Sequence, residues 1–502
     1  MRATRGDMLQ QLERAESLRR EISPRIAQKR KTELGQFMTP SSVARFMASL
    51  FPQSTGRNCR LLDAGAGIGA LSCAFLDRWT KGGFNFDSVD VFAYEIDESL
   101  RSHLCKNLSA YNGVRSHVFG GDFIELADQP LLSDHNEYTH AILNPPYKKI
   151  SSDSDHRHAL RNLGIETVNL YSAFVALAVA QASTNGQIVA IIPRSFCNGP
   201  YYRPFRDFIL SRAALRHMHL FESRNHAFRD DNVLQENIII RLERGAEQGS
   251  VTISTSTDDR FTDVVTHEHA FDRIVHEDDS ERFIHVPTTP GKSVIELSTA
   301  VCSSLEEIGV QVSTGPVVDF RLRKHLRDNP ESGTVPLLYA GHFTSGVTEW
   351  PKLGAKKPNA ICRNRETEKW LYPSGCYCVV RRFSSKEEKR RIIASVVDPT
   401  PFGDAPVLGF ENHLNVFHEN KRGLPNALAD GLAAYLNTAA VDENFRRFNG
   451  HTQVNATDLR MMKYPSRATL IELGRLAKPN KKMAGGGRAN EGVHDLFERF
   501  LM

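Results

Sequence analysis

The chain has 502 residues, 40% of them hydrophobic and 24% charged, with a formal net charge of +4. That length allows two or more domains, and the composition is ordinary for a globular protein. No apolar run is long enough to cross a bilayer, the first residues hold no secretory apolar core, and the eight scattered cysteines include no paired metal-ligand spacing, so a cytoplasmic protein with reduced thiols and no metal is expected.

Residues 1–30 read as an N-terminal helical segment. Leu9, Leu12, Ala15, Leu18 and Ile22 recur at helical spacing until Pro24 interrupts them. Residues 31–245 form the next unit. In it "RLLDA", "DVFAYEI", "SHVFGGD", "HAILN", "QIVAIIP", "LRHMHLF" and "NIIIRL" have the texture of strands, with helical stretches such as "ALSCAFLDRWT" between several of them. "YSAFVALAVA" reads as a buried helix. Repeated strand–helix units imply an α/β fold with a mostly parallel sheet covered on both faces. Ligands then bind beyond the carboxyl ends of the strands. Residues 246–300 are polar and read as a connecting region. Residues 301–470 change texture, with basic clusters among aromatics, and predict an irregular α+β domain. Residues 471–502 read as a linker and a short C-terminal helix.

Four motifs fall at predicted strand ends. "LLDAGAGIGAL" runs from a strand through Asp63, Gly65 and Gly67 into a helix, either a ligand-cradling loop or a tight turn. Glu95 ends the second strand, where a carboxylate can accept from both ribose hydroxyls or cap the next helix. Asp122 and Phe123 follow the third strand and suit an adenine amino group and an adenine face, or a routine turn. "NPPY" ends the fourth. An exocyclic amine on a base is a poor nucleophile, because its lone pair is delocalised into the ring. The side-chain oxygen of Asn144 and the carbonyl of Pro145 can accept its N–H groups and pull the nitrogen toward sp³. Pro145 and Pro146 stiffen the loop, and Tyr147 can stack on the flat base. The bland alternative for this stretch alone is a proline-rich turn. Coming after the three upstream strand ends, it reads as a planar-amine site.

This set resembles the class I S-adenosylmethionine-dependent methyltransferases, and within them the γ-class N6-adenine DNA methyltransferases of type II restriction–modification systems, of the PstI/BsuBI type. The resemblance covers about residues 25–470. "GQFMTP" ahead of the glycines looks like the family's N-terminal cofactor motif, which implies contacts from Phe37, Thr39 and Pro40 to the methionine end of S-adenosylmethionine. By the same resemblance the "DAGAG" loop holds the methionine moiety, Glu95 the ribose, and Asp122 with Phe123 the adenine. "NLYSAF" looks like the family's next helix motif. A duplex adenine must be flipped out to react, and a second ring must cover it. "HAFRDDNVLQENIIIRL" points to Phe228 for that ring, with Phe196 and Phe221 as rivals.

The C-terminal half resembles target-recognition regions. There Arg321, Arg323, Arg381, Arg382 and Lys386 would meet phosphates, and His451, Thr452 and Gln453 are candidates to read base edges. For any single one of them, a solvated surface charge or a structural polar residue is the more common role. The partners implied are double-stranded DNA and a separate cognate restriction endonuclease, since the stretch ahead of "GQFMTP" leaves no room for a nuclease domain. Methylation of an RNA base or a protein glutamine is the rival enzymatic reading. A non-catalytic DNA-binding specificity protein is the rival of another kind.

Overall fold

The computed structural model describes residues 11–22, 38–54, 56–127, 137–222, 236–344, 346–384 and 388–483. The chain divides into two compact units, residues 1–290 and 291–502.

The first unit is built on a nine-stranded sheet. Its strands are β1 (Asn58–Ala64), β2 (Ser88–Tyr94), β3 (Val114–Phe119), β4 (Tyr138–Leu143), β5 (Ala182–Pro193), β6 (Ala213–Phe221), β7 (Asn237–Arg244), β8 (Val251–Ser256) and β9 (Val265–His269). They lie in the order β3-β2-β1-β4-β5-β7-β6-β8-β9. Strands β3 to β5 run parallel. Strand β7 comes back antiparallel between β5 and β6. All seven strands predicted from the sequence form.

The sheet is covered on both faces because its central strands carry apolar runs whose neighbouring residues are both buried. Leu61, Ile142, Val189, Ile191 and Ile239 enter one core; Leu62, Leu143, Ile188, Ala190, Ile192, Ile238 and Ile240 enter the other. Neighbouring residues thus go to opposite faces, as the two-residue period of a strand requires. Helices α1 (Gln11–Ile22), α2 (Ser41–Ser49), α3 (Ala70–Thr80), α4 (Glu98–Leu108), α5 (Phe123–Ala127), α6 (Asp155–Asn162), α7 (Leu170–Gln181) and α8 (Arg203–Arg212) complete the unit. Most of α7 is buried, including the run Tyr171–Val179, so it is a core helix as its apolar sequence predicts.

Residues 246–300, read as connecting region, contain β8 and β9, which extend the same sheet. "VTISTS" is buried at every position but Thr252, with small hydroxyl residues inside, and its polarity masked the strand.

The second unit holds a four-stranded antiparallel sheet (Gln311–Thr314, Leu414–His418, Tyr377–Arg381, Ala394–Val397) and a five-stranded mixed sheet of two- to five-residue strands. Helices Asn426–Leu436 and Arg467–Met483 touch backbone to backbone. A Cβ on Gly431 would lie 1.8 Å from the carbonyl oxygen of Leu470, and one on Gly474 would lie 1.8 Å from that of Ala427. Only glycine permits this crossing. The second helix runs through Met483, where a linker was expected from residue 471, and its buried Leu470, Leu473 and Ala477 fall at helical spacing. Among the described residues, no helix is long and apolar enough to cross a membrane.

Candidate active site

The carboxyl ends of β1 to β4 open on a cavity of about 290 Å³. Its floor is the loop after β1. Gly65 and Gly67 take φ of 79° and 56°, in the left-handed region where a side chain is strained. A Cβ on Gly65 would point between Asn144, Phe174 and Pro146, each 3.8–3.9 Å away. Asp63 does not line the cavity but lies beneath it, fully buried. Its Oδ2 accepts from the Ser72 hydroxyl (2.6 Å) and amide (3.2 Å), while Oδ1 has no hydrogen-bond partner among the described residues. Burial pushes this carboxyl up to about 7.

Glu95 is almost wholly buried beside the loop. Oε2 accepts from the Gly67 amide and Oε1 from the Asp97 amide, both at 2.7 Å. Burial raises its pKa against the pull of those two amides. Each carboxylate oxygen can accept more than one hydrogen bond, so this anchoring leaves the predicted ribose role open to it.

Asp122 accepts from the amides of Ile124 (2.8 Å) and Glu125 (3.3 Å) and, through Oδ2, lies 3.2 Å from Nε2 of His156. Burial opposes ionisation, but the hydrogen bond from His156 and the two amides hold the carboxyl below its ordinary value. His156 is correspondingly raised, chiefly by its hydrogen bond to Asp122. Phe123 and Phe174 flank the same region, with ring centroids 5.1 Å apart.

At the end of β4, Asn144 is held from both sides. Its Nδ2 donates to the Thr39 hydroxyl (2.9 Å), and its Oδ1 accepts from the Tyr147 hydroxyl (3.3 Å). Thr39 is buried, and it brings the segment before α2 onto the catalytic loop. Pro40 starts α2 through its carbonyl, which accepts from Ala44, and does not line the cavity. Pro146 does line it. Beyond Tyr147 the loop is pinned to the start of α7, where the Leu170 amide donates to the Lys148 carbonyl (2.8 Å). Burial keeps the Tyr147 hydroxyl protonated, and its ring meets Tyr171 edge-on. Phe196 and Phe221 are both core residues, fully and 97% buried, and cannot cover a base from the surface. Phe37 and Phe228 lie outside the described residues.

The cavity suits an adenosylated sulfonium: glycine floor, aromatic and aliphatic walls, and two carboxylates, Glu95 and Asp122, for hydroxyls and an amine. Sequence reasoning missed His156, Lys148 and Ile96 in the lining; none belongs to a recognisable pattern. Phe174 sat inside "NLYSAF" without an assigned role.

The Eco57I restriction-modification methylase family matches residues 84–228. Over 98% of its length the chain is 53% identical to the type II methyltransferase M.BsuBI of Bacillus subtilis, covering 99% of that protein. It is 41% identical to the type II methyltransferase M.PstI of Providencia stuartii, over 91% of this chain and 92% of that one. The chain belongs to the type II methyltransferases of restriction–modification systems. It is a DNA methyltransferase of class I fold, and its cofactor is S-adenosylmethionine.

In the second unit of this methyltransferase, Arg321, Arg323 and Thr452 are exposed. Arg381 pairs with Glu388. Arg382 donates to the Asn412 carbonyl and to Oε1 of Gln453, both at 3.2 Å. The carbonyl of His451 accepts from the buried Arg391 guanidinium at 2.5 Å. Lys386 lies outside the described residues.

Proposed function

We propose that this methyltransferase modifies the N6 nitrogen of an adenine flipped out of duplex DNA, protecting the host from a separate restriction endonuclease. One observation carries the reading: the Asn144 amide is gripped by Thr39 on its nitrogen side and Tyr147 on its oxygen side, at the mouth of the cofactor cavity. That grip turns Oδ1 away from Thr39, so it is oriented as an acceptor. Oδ1 of Asn144 and the carbonyl of Pro145 accept the two N–H groups of the target amine and localise the nitrogen lone pair. Pro146 stiffens the loop, and the Tyr147 ring stacks on one face of the base. Phe228 covers the other face, a role for which the buried Phe196 and Phe221 are unsuited. S-adenosylmethionine, when bound, supplies an electrophilic methyl group on a sulfonium. Thr39, Gly65, Gly67, Glu95, Asp122 and Phe123 hold it. Residues 301–470 provide target recognition.

The test is methylome sequencing of a methylation-free bacterial host expressing the chain. N6-methyladenine at one short motif is the expected result. Methyl incorporation into ribosomal RNA with none in DNA would overturn the reading.

A further inference from the structure

Loops of the second unit are stitched together around residues 411–413. The Asn412 amide donates to the Val317 carbonyl (2.9 Å), Arg382 to His413 (2.8 Å), Val454 to Arg382 (2.7 Å) and Ser384 to Thr452 (3.1 Å). On this platform the side chains of His413 and Phe383 are each 42% exposed, with ring centroids 4.8 Å apart.

Beneath them Glu411 is fully buried. Its Oε2 accepts from the His413 amide (2.9 Å), which is all the turn requires. Its Oε1 has no hydrogen-bond partner among the described residues, and lies at ion-pair distance, 2.6 Å, from Nδ1 of His413. A buried carboxylate is costly to desolvate, and a neutral Asn or Ser could close the same turn. Burial raises the Glu411 pKa, and the His413 amide and imidazole pull against it, so the carboxyl is tied to this one neighbour. Two bare lone pairs 2.6 Å apart would repel, so this approach favours a proton on Nδ1, directed off the line to Oε1. That contact keeps Nδ1 beside the buried carboxyl and leaves Nε2 as the ring nitrogen available to a ligand.

Such a group is unsuited to phosphate. A carboxylate behind the ring repels an anion, and a short braced side chain lacks the reach of Arg or Lys. It gives direction, which reading a base edge requires. The exposed Phe383 ring beside it is the kind of apolar surface that contacts a thymine methyl. We propose that His413, aimed by Glu411, reads a base edge in the recognition site through Nε2. The proposal rests on the DNA-methylation reading above, and names the residue that selects the site.

The test compares full-length wild type with His413→Ala and Glu411→Gln. Methyl-transfer kcat/KM is measured on a duplex carrying the methylome-defined site and on every single-base-pair variant of it. His413→Ala should lose about tenfold on the cognate duplex. It should lose little on duplexes already changed at one particular base pair, so that discrimination collapses at that position alone. Glu411→Gln should relax the same position, by less, with S-adenosylmethionine affinity unchanged in both. Equal losses on every duplex, or unchanged discrimination, would overturn the assignment while leaving DNA methylation standing. Wild type that transfers no methyl group to any duplex would overturn both.

Discussion

Asn144 and His413 are placed by different means. Asn144 ends β4, a strand hydrogen-bonded to β1 on one side and β5 on the other, so its position is set by the register of a large buried sheet. Asp63, Glu95 and Asp122 belong to the neighbouring strand ends and share that reference frame. His413 sits in a tight turn whose position is set by a few loop-to-loop backbone bonds and one buried carboxylate. Chemistry built on register is shared by every strand in the sheet. Recognition built on turns can change locally, with the cofactor cavity untouched.

The largest expected effect tests the first half of that contrast. Asn144→Ala should reduce methyl transfer by about a thousandfold, with cofactor affinity by calorimetry within a few-fold of wild type; near-normal turnover would break it. Gly474→Ala tests the second unit's framework. The new Cβ collides with the Ala427 carbonyl, and a loss of about 1–3 kcal/mol in thermal unfolding is expected, again without change in cofactor affinity. A parallel loss of cofactor binding would mean the two regions are not energetically separate.

Thr39→Val removes the acceptor that orients Asn144, and kcat should fall about fivefold, the equivalent of one hydrogen bond. Thr39→Ser should restore it. If Val instead raises the cofactor Kd and spares kcat, Thr39 acts on the cofactor and not on the amide. The smallest effect concerns Asp122 and His156. His156 should titrate above its ordinary value by NMR, and Asp122→Asn should bring it down. The raised histidine stabilises the fold fully below its unfolded pKa and loses that as pH rises through its folded one. The lowered aspartate contributes above its unfolded pKa and loses that as pH falls. The pair is therefore strongest between roughly pH 4 and 6.5, and worth under about 1 kcal/mol because both groups are partly solvated.

What the sequence revealed follows the same division. Strands β1 to β7 and the Asn144 loop were legible because most of these strands hold an apolar run and the first four end next to chemically distinctive residues. The grip of Thr39 on Asn144 was not, since it joins positions 105 residues apart. His156 lies in a polar run, "SSDSDHRH", with no pattern to mark it. Strand β8 was hidden by hydroxyl side chains and β9 by its histidines and glutamate, and the second unit's strands are too short for any period to show. Glu411 and His413 look like an ordinary polar turn until burial separates one from the other.

The place of β7 between β5 and β6 has a consequence for how the chain is made. β6 leaves the ribosome before β7, yet in the folded sheet the place beside β5 belongs to β7. Until residue 244 has emerged, the apolar edge formed by Ile188–Ile192 has no lasting partner. A nascent chain in that interval exposes a flat hydrophobic strand to its neighbours on the polysome. Slow translation just past β6 should therefore favour aggregation, and slowing it past β7 should not.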